Sequence, residues 1–358
     1  MVVNAVGILR ETKEQRFDIL HGAAPRALFE ACVAAGVRRV VQISALGADA
    51  GAHSAYHLSK RAADEFLLGL PLAAVVVQPS LVYGPGGASA RLFTGLASLP
   101  LIPLPGDGAQ AIQPVHVDDL IEAIAALAEG DGYTGQRVPL VGPRPTTLRH
   151  FLADLRRALG LGPARFLAVP RPLVRLGATL GQHLPGSLLD QDSLAMLERG
   201  NTAPADTITG ILGRAPRAPG DFIERAAQEG SRTIALLSWL LPILRGSVAV
   251  VWIVTGLLSL GLYPVAESYA LLARTGIEGA LAPVFLYGAA LLDLAIGLAI
   301  LALRGRPGLW LAQIALVLGY TVIISLRLPE FWLHPYGPIL KNLPLLAVFL
   351  LFFMLDRR

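Results

Sequence analysis

The sequence predicts two structural units: an α/β domain built on a doubly wound parallel sheet, followed by an all-α domain of four transmembrane helices. In the first two thirds, short apolar runs such as VVQIS at residues 40–44 alternate with helical patterns, which is typical of buried parallel strands. Charged residues make up only 16% of the 358 residues, and the deficit lies in the last third. Ordinary soluble domains carry about 25%. We therefore divide the chain into residues 1–228 and residues 229–358.

Ser44, Tyr56 and Lys60 form the candidate catalytic trio. Ser44 ends the apolar strand, and the other two open the helical run AYHLSKRAADEFLLGL. Residues four apart lie on one helix face, so we expect the Lys60 ammonium to lower the pKa of the Tyr56 phenol from about 10. The phenol could then move a proton while the Ser44 hydroxyl binds a substrate oxygen. Because Tyr-x-x-x-Lys is common on helix surfaces, the flanking segments decide the interpretation.

Four segments around this trio resemble the short-chain dehydrogenase/reductase superfamily in its extended or atypical branch. That branch includes sugar-nucleotide epimerases and the Rossmann-fold accessory subunit of respiratory complex I. The combination is far more specific than any one motif, although Gln78 stands where the superfamily usually has an arginine. The segments are VVNAVGI (2–8), AGVRRVVQISALGA (35–48), VVVQPSLVYGPGG (75–87) and IQPVHVDDLIEAI (112–124).

The resemblance implies a partial Rossmann-type domain that binds NAD or NADP and acts as an oxidoreductase or epimerase-like enzyme. Tyr56 would be the general acid/base, Lys60 would tune its pKa and bind the ribose, and Ser44 would position an unknown small-molecule substrate. The alternative is a non-catalytic nucleotide-binding module, tethered to the membrane for respiratory-complex assembly or sensing. Besides the trio, the residues implied to line the cofactor are Asn4, Ala5, Gly7, Pro79, Ser80, Leu81 and Val82.

Part of a dinucleotide site is not found in the sequence. No G-x-G-x-x-G turn follows a first strand, so the pyrophosphate would lack its usual place at a helix N-terminus. The segment VVNAVGI would be an edge strand that is apolar on both faces, which natural proteins avoid. We expect the first βαβ units to be missing, the true start to lie upstream, and residues 1–358 alone to bind the cofactor weakly or not at all.

The other polar candidates fit structural roles better. We expect Asp118 or Asp119 to cap the helix LIEAIAALAEG, and His116 to be a packed or hydrogen-bonded histidine, since no second His or Cys lies at metal-ligand spacing. No metal site is predicted. Cys32, the only cysteine, is expected to be a buried thiol. The formal charge of +4 comes without a basic run, so we exclude nucleic acid as a partner.

Four apolar runs in the last third predict transmembrane helices at residues 248–262, 281–303, 309–326 and 339–355. About 20 helical residues cross the hydrocarbon core, and the first and last runs reach that length with flanking residues. A soluble four-helix bundle is disfavoured because it needs polar faces. The last run, within HPYGPILKNLPLLAVFLLFF, resembles the end of DoxX-like membrane domains. We expect membrane lipid and an additional membrane protein as partners.

Flanking charges predict the topology and one polar position inside the membrane. Six arginines fall on one side of a four-span arrangement and three cations on the other, so both termini and the first domain are expected on the cytoplasmic side of the inner membrane. Asp293 lies near the middle of the second span and should face the bundle interior. It could form a structural hydrogen bond, for example to Tyr320 or Ser325, or serve as a protonatable or ligand-binding group with Lys341 and Asn342 nearby. The nine cations are Arg232, Arg245, Arg304, Arg306, Arg357 and Arg358, against Arg274, Arg327 and Lys341.

Overall fold

The computed structural model describes residues 1–181 and 191–357, which form two compact units, Met1–Leu237 and Ser238–Arg358. The strands are β1 (Val2–Asn4), β2 (Val40–Ile43), β3 (Ala74–Pro79), β4 (Val82–Tyr83), β5 (Ile102–Pro105), β6 (Ala111–Ile112), β7 (Val115–His116), β8 (Arg137–Leu140), β9 (Thr146–Thr147) and β10 (Phe166–Val169). The helices of the first unit are α1 (Ala24–Ala34), α2 (Ala55–Leu68), α3 (Ala88–Ser98), α4 (Val117–Glu129), α5 (Leu148–Ala158), α6 (Arg171–Gly181), α7 (Gln191–Arg199) and α8 (Asp206–Leu212). The remaining helices are α9 (Gln228–Leu257), α10 (Val265–Arg274), α11 (Leu281–Ala302), α12 (Pro307–Arg327) and α13 (Asn342–Leu355).

The central sheet of the first unit is parallel and has the strand order β1-β2-β3-β8. Its side chains alternate between the two faces, as the period of a strand requires. Val40 and Val76 pack against α1 and α2, whereas Val41 and Val75 pack against α4 and α8. Helices therefore cover both faces, and the predicted doubly wound sheet is confirmed.

Strand β1 lies at the edge of this sheet, as the sequence predicts. It pairs with β2 alone among the described strands, and the Val3 side chain is 41% exposed. Cys32 on α1 is buried under the same edge, which confirms the expected buried thiol.

Within residues 1–181 and 191–357, three helices are long and apolar enough to cross a membrane: α11, α12 and the helical stretch Arg225–Leu262, which contains α9. The fourth predicted span is shorter than expected, because α13 has 14 residues and a length of about 21 Å, against a hydrocarbon core of about 30 Å. A turn at residues 334–341, with Pro335 and Pro338 in it, delays the start of this helix until Asn342.

Asp293 on α11 is buried, which confirms its predicted inward placement. One of its carboxylate oxygens has no hydrogen-bond partner in the described chain. The Ser325 hydroxyl donates to the Thr321 carbonyl and accepts from the Trp332 indole, and Asn342 donates to the Thr321 hydroxyl. The described chain shows no hydrogen bond to Asp293 from Tyr320 or Ser325, which was the structural alternative for this residue.

Helices α9 and α11 cross closely at a glycine. A methyl group placed on Gly297 would lie 2.6 Å from the Ile253 Cγ1 atom and 3.1 Å from the Ala249 carbonyl oxygen. By contrast, a methyl group on Gly288, about two and a half turns earlier on the same helix, would meet nothing within 4 Å. Close backbone approach through small residues is how helices associate in membranes.

We expect Gly297→Ala to destabilise the helical unit by roughly 1–3 kcal/mol, since the added methyl group overpacks the crossing. The matched variant Gly288→Ala should leave stability unchanged within about 0.5 kcal/mol, because its methyl group enters open space. Thermal unfolding in detergent, followed by tryptophan fluorescence, measures both. Equal midpoints for the two variants would contradict the assigned crossing.

Candidate functional site

The candidate site lies at the carboxyl ends of β1, β2 and β3. The turn after β1 (residues 5–7), Ser44 after β2 and the first turns of α2 meet there. Ser54 starts α2, because its side chain accepts a hydrogen bond from the backbone of His57. Ligands of open parallel sheets bind at this edge, so the sequence-predicted trio stands where the fold places its sites.

Lys60 is buried, and its ammonium links two strand ends. The Nζ atom donates to the carbonyls of Val6 and Ile43, each at 3.1 Å. A methyl group on Gly7 would lie 2.8 Å from the same nitrogen, so only glycine lets the turn approach the ammonium this closely. Two of the three ammonium protons are engaged in these bonds, and one is left for a ligand.

Ser44 is oriented by a carboxylate that the sequence analysis did not identify. Its hydroxyl donates to Asp64 at 2.5 Å, and Asp64 is buried with its other oxygen unpaired in the described chain. Tyr56, Lys60 and Asp64 are spaced by four residues and so lie on one face of α2. This spacing could have identified Asp64 from the sequence. Burial raises the pKa of Asp64 to about 7, although the Ser44 hydrogen bond opposes this.

Tyr56 packs in a cluster of aromatic rings. Its ring centroid lies 6.2 Å from that of Phe17, 5.8 Å from His21 and 5.4 Å from His57. Burial, and secondarily the charge of Asp64, raises the pKa of Tyr56 to about 12. The expectation that Lys60 lowers this pKa is therefore wrong for this structure, because desolvation disfavours the phenolate. The phenol holds its proton at neutral pH.

His21 is a second site residue that the sequence analysis missed. Its Nε2 atom accepts the backbone N–H of Ile8 at 3.0 Å, and its Nδ1 atom lies 2.8 Å from the Ser59 hydroxyl, which donates to the Tyr56 carbonyl. The imidazole is therefore neutral with its proton on Nδ1. Burial, together with the nearby Lys60 charge, lowers the pKa of His21 to about 4. No sequence motif marks His21, because it is a lone histidine in the segment before α1.

Several of the residues implied to line a cofactor already have partners within the protein. The Asn4 amide donates to Gln42 at 2.7 Å, and its oxygen accepts the backbone of Val6, so it shapes the turn after β1. The Ser80 hydroxyl donates to the Gln113 carbonyl, and the Leu81 N–H donates to Asn201. Pro79 and Val82 lie in β3 and β4. Ala5 and Gly7 are exposed in the turn.

These residues fit one end of a nicotinamide dinucleotide. The exposed turn above the free Lys60 proton leaves room that a side chain on Gly7 would fill, which suits a ribose next to the reacting ring. Gln78, which stands where the superfamily usually has an arginine, has a structural partner. Its side chain donates to the Ala48 carbonyl at 3.2 Å and holds the loop between Ser44 and Tyr56. No G-x-G-x-x-G turn for the pyrophosphate occurs in the described chain.

The acidic pair at α4 has a structural role different from the predicted cap. His116, not an aspartate, caps the helix by accepting the backbone N–H of Asp118, and the predicted packed histidine is confirmed. Asp119 is buried and accepts from the Arg214 side chain and the Arg217 backbone. No cluster of metal-ligating side chains occurs in the described ranges.

Two families match parts of the chain: residues 1–138 match the NAD dependent epimerase/dehydratase family, and residues 249–350 match the DoxX-like family. The first unit therefore carries an epimerase/dehydratase-type domain, and the second carries a DoxX-like membrane domain. A nucleoside-diphosphate-sugar epimerase from Staphylococcus aureus shares the fold, with a TM-score of 0.50 and 16% identity over 62% of this chain and 75% of that one.

Curated relatives match the first unit over part of their length. The chain is 29% identical over 178 residues to the mitochondrial NADH dehydrogenase (ubiquinone) 1 alpha subcomplex subunit 9 of Arabidopsis thaliana, covering 49% of this chain and 44% of that protein. It is 27% identical over 141 residues to a ceramide reductase of Caulobacter vibrioides, covering 39% and 41%. The chain thus spans less than half the length of these relatives.

We expect Asp64→Asn to stabilise the first unit above pH 7 and to have little effect at pH 4. The folded pKa of about 7 exceeds the ordinary value of 3.8, so the folded state binds an extra proton between these values and stability falls as the pH rises through them. Asparagine keeps an acceptor for Ser44 and removes the charge. The gain should be roughly 1–4 kcal/mol, since one pKa unit corresponds to about 1.4 kcal/mol.

Pulse proteolysis of the full chain in denaturant, at pH 4 and at a pH above 7, measures the stability of the first unit. Asp131→Asn, at an exposed aspartate, is the control and should change neither value. A gain for Asp64→Asn that is equal at both pH values would show that burial does not raise this pKa.

Proposed function

We propose that this protein is a membrane-anchored NAD(P)-dependent oxidoreductase, or an epimerase-like enzyme, that uses Tyr56, Lys60 and Ser44 on a carbonyl or alcohol substrate. The observation that carries the proposal is the meeting of these residues at the turn after β1, with the Lys60 ammonium held against Gly7. The match to the NAD dependent epimerase/dehydratase family supports the cofactor. The membrane domain supports the anchoring.

Tyr56 is the proton donor in this proposal. When bound, the reduced cofactor supplies the hydride that reaches the carbonyl carbon. Because the Tyr56 pKa is about 12, its phenol is protonated and can give its proton to the carbonyl oxygen. The carbonyl carbon gains the hydride and the carbonyl oxygen gains the proton, so the product is an alcohol. In an epimerase-like reaction, the same steps run in both directions on one substrate.

Ser44 positions the alcohol, and Lys60 holds the cofactor. The Ser44 hydroxyl donates its proton to Asp64, so its oxygen would act as an acceptor for an alcohol hydroxyl. The free proton on Lys60 would bond a ribose oxygen beside Ala5 and Gly7. Asn4, Pro79, Ser80, Leu81 and Val82 would contribute the shape of the pocket rather than side-chain hydrogen bonds, since their polar groups have partners.

A non-catalytic nucleotide-binding module is the second candidate. It is favoured by the similarity to subunit 9 of respiratory NADH dehydrogenase, and it would imply a membrane protein partner. The raised Tyr56 pKa and the Ser44–Asp64 bond are compatible with both candidates. Turnover, rather than cofactor binding, separates them.

We also propose that the first unit and both termini lie on the cytoplasmic side of the inner membrane. Arg245, Leu303 and Asp356 meet at one end of the helical bundle. The Arg245 side chain donates to the Asp356 carboxylate and to the Leu303 carbonyl. The three cations predicted on the other side of the membrane include Arg274, which pairs with Glu330. The first end carries the larger positive charge of the two, and the positive-inside rule assigns it to the cytoplasm.

We expect Tyr56→Phe to lower kcat by about 10²- to 10⁴-fold while cofactor affinity stays within about threefold, since only the proton donor is lost. The assay uses the full chain in lipid nanodiscs. Oxidation of NADH or NADPH is followed with carbonyl compounds that include oxidised ceramides and nucleoside-diphosphate keto-sugars. Cofactor binding without any turnover by the unmodified protein would favour the non-catalytic module.

Lys60→Met should weaken cofactor binding more than Tyr56→Phe does, by about tenfold, because it removes a charge-assisted hydrogen bond to the ribose. Methionine keeps the length of the side chain and its packing. Cofactor fluorescence measures both dissociation constants, and the proteolysis assay shows whether the turn after β1 remains folded. Equal dissociation constants in two folded variants would remove the ribose role from Lys60.

A further inference from the structure

Asp293 lies at the centre of the buried face of α11. With about 100° between successive helical residues, the buried residues of this helix fall within an arc of about 120°, and Asp293 stands near its middle. Only 8% of the residue is exposed. The carboxyl group therefore points into the helical unit. The other buried residues of α11 are Ala282, Leu286, Ala290, Ile296, Gly297 and Ile300.

The apolar helices of this unit contain no cation that could pair with Asp293. Within residues 248–262, 281–302, 307–326 and 342–355, Asp293 is the only aspartate, glutamate, lysine, arginine or histidine. If it were ionised, it would be an unpaired charge inside a membrane-spanning helix. Such a charge is costly in apolar surroundings.

The titratable groups at the edges of these helices do not supply the missing cation. Tyr320 on α12 lies within electrostatic range of the Asp293 carboxylate, but its side chain never carries a positive charge. Helix α10 carries the exposed residues Glu267 and Arg274, and Arg274 pairs with a glutamate, Glu330. Lys341, which precedes α13, is exposed.

The polar side chains of the neighbouring helices donate to other acceptors. Trp252 donates to Gln313, which in turn donates to a carbonyl of its own helix, and the Tyr269 and Tyr287 hydroxyls bond each other. Four hydroxyl groups donate to carbonyls four residues earlier on their own helices. No donor of the described chain reaches the Oδ1 atom of Asp293, which is fully buried. The four hydroxyl residues are Thr255, Ser259, Thr321 and Ser325.

A proton fits this environment better than a metal cation does. Protein sites for calcium or potassium surround the ion with several oxygen ligands. Asp293 is the only carboxylate of these apolar helices, and residues 1–181 and 191–357 contain no cluster of metal-ligating side chains. A proton needs a single oxygen, and the neutral acid that results carries no charge into the apolar interior.

Asp356, just after α13, has the opposite environment. Its Oδ2 atom accepts from the Arg245 guanidinium at 2.6 Å and from the Trp310 indole at 2.7 Å. A cation and a second donor thus stabilise this carboxylate through hydrogen bonds. Asp356 is therefore a matched control for Asp293 within the same unit.

We propose that Asp293 is a proton-binding site inside the helical unit, where its carboxyl group carries one proton and no metal cation. As a neutral acid, its O–H group is a donor that can pass a proton to an acceptor brought into the bundle. Ionisable groups in this position are typical of proton relays in membrane proteins. This proposal is independent of the reaction proposed for the first unit.

Infrared difference spectroscopy of the full chain in lipid nanodiscs tests this proposal. The spectrum of Asp293→Asn is subtracted from that of the unmodified protein at neutral pH, so the other carboxyl groups cancel. We expect the carbonyl band of one protonated carboxylic acid in the difference, and no carboxylate band. The same subtraction with Asp356→Asn should give a carboxylate band and no acid band. A carboxylate band assigned to Asp293 would overturn the proposal.

Sodium and potassium chloride distinguish a proton from a metal cation at this site. The acid band should keep its full intensity in either salt, because neither ion replaces the proton. Its conversion into a carboxylate band by one of the salts would overturn the proposal in favour of a cation site. If Asp293→Asn does not fold, Asp293→Glu provides the difference spectrum, and the acid band should then move in frequency instead of vanishing.

Thermal unfolding in the same nanodiscs gives a second measurement. Asparagine replaces a neutral acid with a neutral amide of the same size, so Asp293→Asn should shift the midpoint by less than about 2 °C. Asp356→Asn should lower the midpoint by several degrees, since it leaves Arg245 without its charged partner. An equal fall in both variants would show that Asp293 is also held as a paired charge, and it would overturn the proposal.

Discussion

A single buried ammonium joins the parts of the first unit on which the candidate site depends. The Val6 and Ile43 carbonyls come at or just after the ends of two paired strands, and both accept hydrogen bonds from Lys60. The Lys60 side chain therefore supplies hydrogen-bond donors to carbonyls where the sheet ladder stops, which stabilises the strand ends. A methyl group at position 7 would displace this ammonium, and Tyr56 and Asp64 lie one turn to either side of Lys60 on α2.

The same helix stripe sets the electrostatics of the site. An ammonium and a carboxylate lie close together inside the protein, and each has a hydrogen-bond partner: the strand ends for Lys60 and Ser44 for Asp64. Burial outweighs the attraction between them in its effect on Asp64, whose pKa rises. At higher pH, Asp64 is negatively charged, and this charge raises the pKa of Tyr56, as burial does. Both effects keep the Tyr56 phenol protonated at neutral pH.

Local signals in the sequence were sufficient for the fold, and the details that depend on distant packing were not. Strand periodicity, the apolar runs and the spacing of Tyr56 and Lys60 are local, and each predicted its element. The direction of the Tyr56 pKa depends on how tightly Phe17 and His21 pack around the ring, which spacing does not encode. Asp119 was read as a cap because Arg214, far along the chain, could not be anticipated as its partner.

Helix α9 links the folding of the first unit to the insertion of the second. The core of the first unit includes Ala235, which belongs to the helix that continues to Leu257. During synthesis, this core cannot close until the ribosome has released the opening turns of a membrane-spanning segment. Domains generally fold as units in the order of their synthesis. Folding of the first unit and synthesis of the first membrane-length helix therefore overlap in time.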